Sequence, residues 1–112
     1  MNVSVYVWHI RIVIDLTRVD GFQWDGGNAR KSVDKHGVGQ AETEQVFFNE
    51  PLLLLSDDRH SQGESRFHAL GRTDDDRLLF VVFTVRAEGR LIRVISARDM
   101  SRRERGFYEQ AF

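Results

Sequence analysis

From residue 3 to residue 16 apolar and polar side chains alternate. Tyr6, Trp8, Ile10, Ile12, Ile14 and Leu16 share one parity, with His9, Arg11 and Asp15 on the other. A period of two predicts a strand. At a rise of ~3.3 Å per residue, 3–16 would reach about 46 Å, longer than a small sheet accommodates. The segment therefore bends or lies partly outside the domain.

The next stretch changes period. Asp25 predicts the N-cap of a first helix running to His36, with Gly26 and Gly27 weakening its first turn and Gly37 ending it. A second helix is predicted over 40–48, with Ala41, Gln45 and Phe48 on one face and Phe47 beside it. Strands follow at 52–55, 66–71, 78–85 and 90–97, separated by turn-forming runs at 73–76 and 87–89. The run 78–85 is apolar on both parities, the mark of a central strand covered on both faces. Ser101 with Glu104 predicts a capping box for a last helix over 102–111. Within it Phe107 pairs with Ala111, and Tyr108 with Phe112, at the i, i+4 spacing. The expected architecture is α+β: two N-terminal helices, an antiparallel meander of three to four strands, a C-terminal helix, and a strand-like N-terminal extension.

A chain of 112 residues supports one domain. With no cysteine there is neither a disulfide framework nor a thiolate zinc site. No apolar run has the length of a membrane-spanning helix, and the N-terminus lacks the basic flank and cleavage site of a signal peptide. A cytoplasmic protein without a membrane partner is expected. The formal net charge of −1 hides an asymmetry. Residues 1–58 carry five basic and nine acidic groups, whereas 59–112 carry eleven basic and eight acidic. Segment 90–105 alone holds six Arg against Asp99 and Glu104, a local basic patch able to bind phosphate.

Candidate chemistry concentrates after Gly63. Glu64, Arg66 and His68 alternate, so a strand points all three to one face while Phe67 and Ala69 point to the other. A carboxylate, a guanidinium and an imidazole on one face can supply a base, a phosphate clamp and an acid, the parts of metal-free phosphodiester cleavage. The same spacing also describes a solvated strand face with a cross-strand ion pair. Arg93, set in an apolar strand, needs solvent, an acid or a ligand; pairing with Glu64 is one option. Arg98 ends that strand, and Arg102, Arg103 and Arg105 follow where a helix dipole disfavours cations, so an anion or a solvated charge run accounts for them. His36 precedes Gly37 as a helix C-terminal dipole partner, and His60 lies in a polar loop. The four His have no metal-ligand spacing, so neither metal nor other cofactor is expected.

In order, the segments Phe22-Gln-Trp-Asp25, Lys35-His-Gly-Val38, Val46-Phe-Phe48, Asp57-Asp-Arg-His-Ser61, Gly63-Glu-Ser-Arg66, Leu70-Gly-Arg72, Arg93-Val-Ile-Ser-Ala-Arg98 and Ser101-Arg-Arg-Glu-Arg105 with Tyr108 resemble the BrnT family of type II toxins. The resemblance spans about 22–109 and implies a RelE-like fold and a metal-independent endoribonuclease that halts translation. It implies a BrnA-type antitoxin with a ribbon-helix-helix domain, a heterotetrameric complex, and operator DNA contacted only through the antitoxin. It assigns Glu64, Arg66, Arg93 and Arg98 to the catalytic site. Lys35, His36, Arg103 and Tyr108 match motif positions as supporting residues. Arg102, His60 and His68 join them on the local arguments above. The chain departs from the family pattern at Asn28 and Ser32, where Lys and Asn are usual, which makes a weakly active, antitoxin-binding module acting in operon autoregulation the alternative. On this reading 21–112 is the toxin domain. Residues 1–20 are an extension, either an extra strand or the product of a start upstream of Val19.

Overall fold

The computed structural model describes residues 5–7, 15–57 and 63–112. Along the chain run β1 (Val5–Val7), a 3-10 turn (Leu16–Arg18), β2 (Gly21–Phe22), α1 (Lys31–His36), α2 (Gln40–Val46), β3 (Leu52–Asp57), β4 (Arg66–Arg72), β5 (Leu78–Arg86), β6 (Leu91–Asp99) and α3 (Arg102–Gln110). The strands form one mixed sheet in the order β1-β3-β4-β5-β6-β2. Its centre is the expected meander, four strands long, with β3, β4, β5 and β6 pairing antiparallel in sequence. Two short strands extend it at the edges, and both are parallel: β1 beside β3 and β2 beside β6. The architecture is thus α+β, and the purely antiparallel sheet read from the sequence is corrected to a mixed one. Periodicity could not show these edges, because β2 is two residues long and a parallel neighbour leaves no hairpin signal.

The meander strands bury alternate side chains on opposite sheet faces. On one face Leu52, Leu54, Phe67, Ala69, Leu79, Val81, Phe83, Ile92 and Val94 meet Val46 and Phe47 from α2 and Val38 from the loop after α1. Leu16 and Val19, ahead of β2, belong to this same core. Phe47 packs edge-on against Phe83 at 5.1 Å and Phe22 at 5.6 Å. The face of α2 that enters the core therefore carries Thr43, Val46 and Phe47, not the Ala41–Gln45–Phe48 row; Phe48 is 53% exposed. On the opposite face Leu53, Leu70 and Met100 bury Tyr108 of α3. Gly71 lets α2 approach β4 closely, since a Cβ there would lie 2.9 Å from Val46 Cγ1.

Helix ends follow local chemistry. Gly37 stops α1 in the left-handed region at φ 64°. At α3, Ser101 Oγ accepts from Glu104 N–H while Glu104 accepts from Ser101 N–H, the expected capping box. The first helix is shorter than predicted. Asp25 does not cap it; the helix begins at Lys31 after a run of turns. Asp25 Oδ1 instead accepts from Gly27 N–H at 2.8 Å, closing a local turn over the two flexible glycines.

One irregularity decides which side chains share a face. Val82 pairs with Ser96 but Phe83 pairs with Val94, so Ile95 is an extra residue in β6. This bulge resets the alternation. Ala97 and Val94 both enter the core despite their odd spacing, and Arg98 and Arg93 both leave on the other side.

Candidate active site

The face of the sheet away from α1 and α2 carries the sequence-predicted strand residues. Arg66 and His68 project there from β4, opposite Asp57 and Leu55 of β3 respectively. Glu64 precedes the strand, just after Gly63, whose φ of +77° turns the chain into it. From β6 come Arg93, opposite Thr84, and Arg98, opposite Phe80. The structure thus brings Glu64, Arg66, His68, Arg93 and Arg98 to one side of the meander.

Their partners come from distant parts of the chain. Glu64 pairs with Arg86 at the end of β5, Nε to Oε2 at 2.6 Å. Arg93 does not pair with Glu64. Its NH1 donates to Gln23 Oε1 at 3.0 Å and Asp25 Oδ2 at 2.9 Å, and its NH2 to Asp25 Oδ1 at 3.0 Å. Hydrogen bonds from Arg93, then from Gly27 N–H, hold the Asp25 carboxyl below its ordinary range. The two pairs also sense each other, with Glu64 favouring the Arg93 cation and Arg86 favouring the Asp25 anion. The result is a mosaic of alternating charge at one end of the sheet.

His68 sits beside it. Its Nε2 lies 3.0 Å from Oδ2 of Asp57, whose side chain is 8% exposed, and its ring packs on Phe80 at 4.7 Å. A buried carboxylate on one imidazole nitrogen fixes the ring and leaves Nδ1 to exchange protons. Arg98 is engaged differently. It grips Glu104 with both amino groups, at 2.7 and 2.8 Å, and lies 4.4 Å above the Phe80 ring. Burial pushes the Glu104 carboxyl up, but hydrogen bonds from Arg98 and from Ser101 N–H outweigh it and hold the carboxyl below its usual value. Arg98 thereby ties α3 to β6.

Other predicted residues lie elsewhere. Tyr108 is buried beneath α3, donates to Pro51 O at 2.6 Å, and is pushed up by burial despite the neighbouring Arg72. Lys35 and His36 are exposed at the end of α1, where His36 O accepts from Arg77 and its ring lies near Asp99. Neither shares a hydrogen bond or ion pair with Glu64, Arg66 or His68 among the described residues. Arg102 and Arg103 are exposed on the first turn of α3. His60 lies outside the described residues.

Sequence reasoning missed three groups. Asp57 was legible as an acid closing an apolar strand opposite Arg66. Arg86 and Asp25 had no spacing signal, since their partners lie 22 and 68 residues away. Arg77 was also missed. It bridges Glu42, Asp99 and the carbonyl of Gly37, stapling both N-terminal helices to β6. Asn28 and Ser32, the departures from the family pattern, are buried and face β6, where Asn28 Nδ2 donates to Val94 O at 2.8 Å and Ser32 Oγ accepts from Ala97 N–H at 2.8 Å. They satisfy backbone that two-residue β2 is too short to reach.

Among the described residues no group of three His, Asp or Glu gathers as a metal cage, and no helix is long and apolar enough to cross a membrane. A search of curated proteins finds no match to the chain. Residues 24–104, which include every described member of the face above, match the family model of the ribonuclease toxin BrnT of type II toxin-antitoxin systems. The chain therefore belongs to the BrnT family, whose members are ribonuclease toxins.

Proposed function

We propose that this toxin cuts RNA without a metal on the face carrying Glu64, Arg66, His68 and Arg93, and so arrests translation. The convergence of a paired carboxylate, a carboxylate-held imidazole and guanidinium groups on one sheet face carries the reading. A base, Glu64 or His68, takes the proton of a ribose 2′-hydroxyl. The 2′-oxygen attacks the adjacent phosphorus, and the bond to the 5′-oxygen breaks as the other group delivers a proton to it. A 2′,3′-cyclic phosphate and a 5′-hydroxyl result. Arg66 and Arg93 hold the phosphate and its developing charge. Three Arg93 hydrogen bonds go to Gln23 and Asp25, and a guanidinium has five N–H donors, so two remain for phosphate oxygens while Asp25 positions the group. Arg98 acts through Glu104, fixing α3 beside the face. His36, Lys35 and Arg102 extend the basic surface around it, and Tyr108 supports α3 from within.

The same reading holds that the fold is RelE-like, that residues 21–112 form the toxin domain, and that a BrnA-type ribbon-helix-helix antitoxin occludes the basic face in a heterotetramer that reaches operator DNA only through the antitoxin. The test is expression of the chain alone and purification for RNA cleavage in EDTA, beside Glu64→Gln and Arg66→Gln. Growth arrest and cleavage by the parent, lost at least 100-fold in both variants with circular dichroism unchanged, are expected. A parent that leaves both free and ribosome-bound RNA intact refutes the activity on this face. Variants as active as the parent refute the residue assignment.

A further inference from the structure

A groove of about 560 Å3 runs from His68 between the sheet and the first turns of α3. Its volume falls in the range of about 300–1,000 Å3 common to small-ligand sites. Leu55, Leu70 and Phe80 form its floor, Phe107 its outer wall and Arg103 its rim. Phe107 is 37% exposed, a large aromatic surface left open to solvent beside a cation. The one acid in the wall, Glu104, is neutralised by Arg98. Arg103 has no ion-pair partner among the described residues, so the groove presents a positive charge at its mouth and an apolar interior.

We infer that this groove is a subsite for one unstacked nucleotide of the RNA, with its base against Phe107 and its phosphate at Arg103, setting the base preference next to the cut. The inference rests on the proposed RNA-cleaving face. Three observations select the occupant. His68 belongs to both the face and the groove, so a strand bound across the face continues into it. Flat apolar walls capped by a guanidinium match a base followed by a phosphate, the pattern by which proteins hold single strands. The opening takes one planar group, whereas an antitoxin helix about 10 Å across needs a longer trough. Arg98 over Phe80 closes one face of that ring, which leaves Phe107 as the stacking surface.

The test uses the purified chain with a fluorescent 2′-O-methyl RNA hexamer, which binds but lacks the attacking hydroxyl, and sequencing of the ends produced from natural RNA. Phe107→Ala removes the stacking ring, Leu55→Trp fills the groove, and Arg103→Gln removes the rim charge. Phe107→Ala and Leu55→Trp each weaken hexamer binding about tenfold and flatten the base preference at one position beside the cut, while cutting continues. Arg103→Gln weakens binding evenly across sequences and leaves the preference in place. Parent-like preference in both groove variants, with the parent still cutting, overturns the subsite and leaves the cleaving face standing. So does loss of antitoxin affinity with RNA preference intact, which gives the groove to the antitoxin. A parent that neither binds the hexamer nor cuts RNA overturns both.

Discussion

Replacing Ser32 by alanine isolates one structural bond. The Ser32 hydroxyl accepts from the buried N–H of Ala97, 65 residues along the chain, on the side of β6 that β2 does not reach. Alanine keeps the helix propensity of α1 or improves it slightly, so local effects favour the variant. The loss is the hydrogen bond plus the desolvation of an N–H left without a partner, about 1–3 kcal/mol. For a domain of this size that lowers Tm by about 4–8 °C per kcal/mol. Urea unfolding followed by circular dichroism reads the change as a shift in midpoint with unchanged slope. Lys31→Ala, at the exposed neighbour on the same helix, is the control and stays within about 0.5 kcal/mol of the parent. The reasoning fails if Ser32→Ala matches the control. It also fails if activity falls with stability intact, because Ser32 would then serve the RNA rather than β6.

Gly71→Ala places a methyl 2.9 Å from Val46 Cγ1 and destabilises by about 1–3 kcal/mol; combining it with Val46→Ala recovers part of the loss in a double-mutant cycle. Arg98→Met breaks the pair with Glu104, which is partly exposed, and lowers stability by about 1 kcal/mol, with faster hydrogen exchange confined to α3 as the readout. The Asp99 carboxyl is held below its ordinary value by Arg77. The unfolded chain therefore binds its proton first, so this contribution is full above about pH 4 and disappears as pH falls through the lowered folded-state value. Arg77→Gln flattens the acid limb of a stability-versus-pH curve, and an unchanged limb refutes the assignment.

Much of this molecule was legible along the chain. Alternation placed the four meander strands, Ser101 and Glu104 announced the last helix, and Gly37 marked the end of the first. Period two put Glu64, Arg66 and His68 on one face, and there they lie. These features are local: a strand's alternation, a cap and a left-handed glycine are each set within a few residues. The partners were not legible. Arg93 meets Asp25 rather than Glu64, Glu64 meets Arg86, and His68 meets Asp57, because register and loop closure choose among many acids and bases of similar spacing. The bulge at Ile95 was equally hidden, yet it alone lets Arg93 and Arg98 share a side. The same limit explains Asp25, a sound N-cap by residue type whose carboxylate the tertiary fold assigns to a guanidinium across the sheet edge. The sequence by itself determined the elements, the faces and the chemical groups available. Only the packed sheet decided which charges neutralise one another, since ion pairing depends on distances that no local pattern encodes.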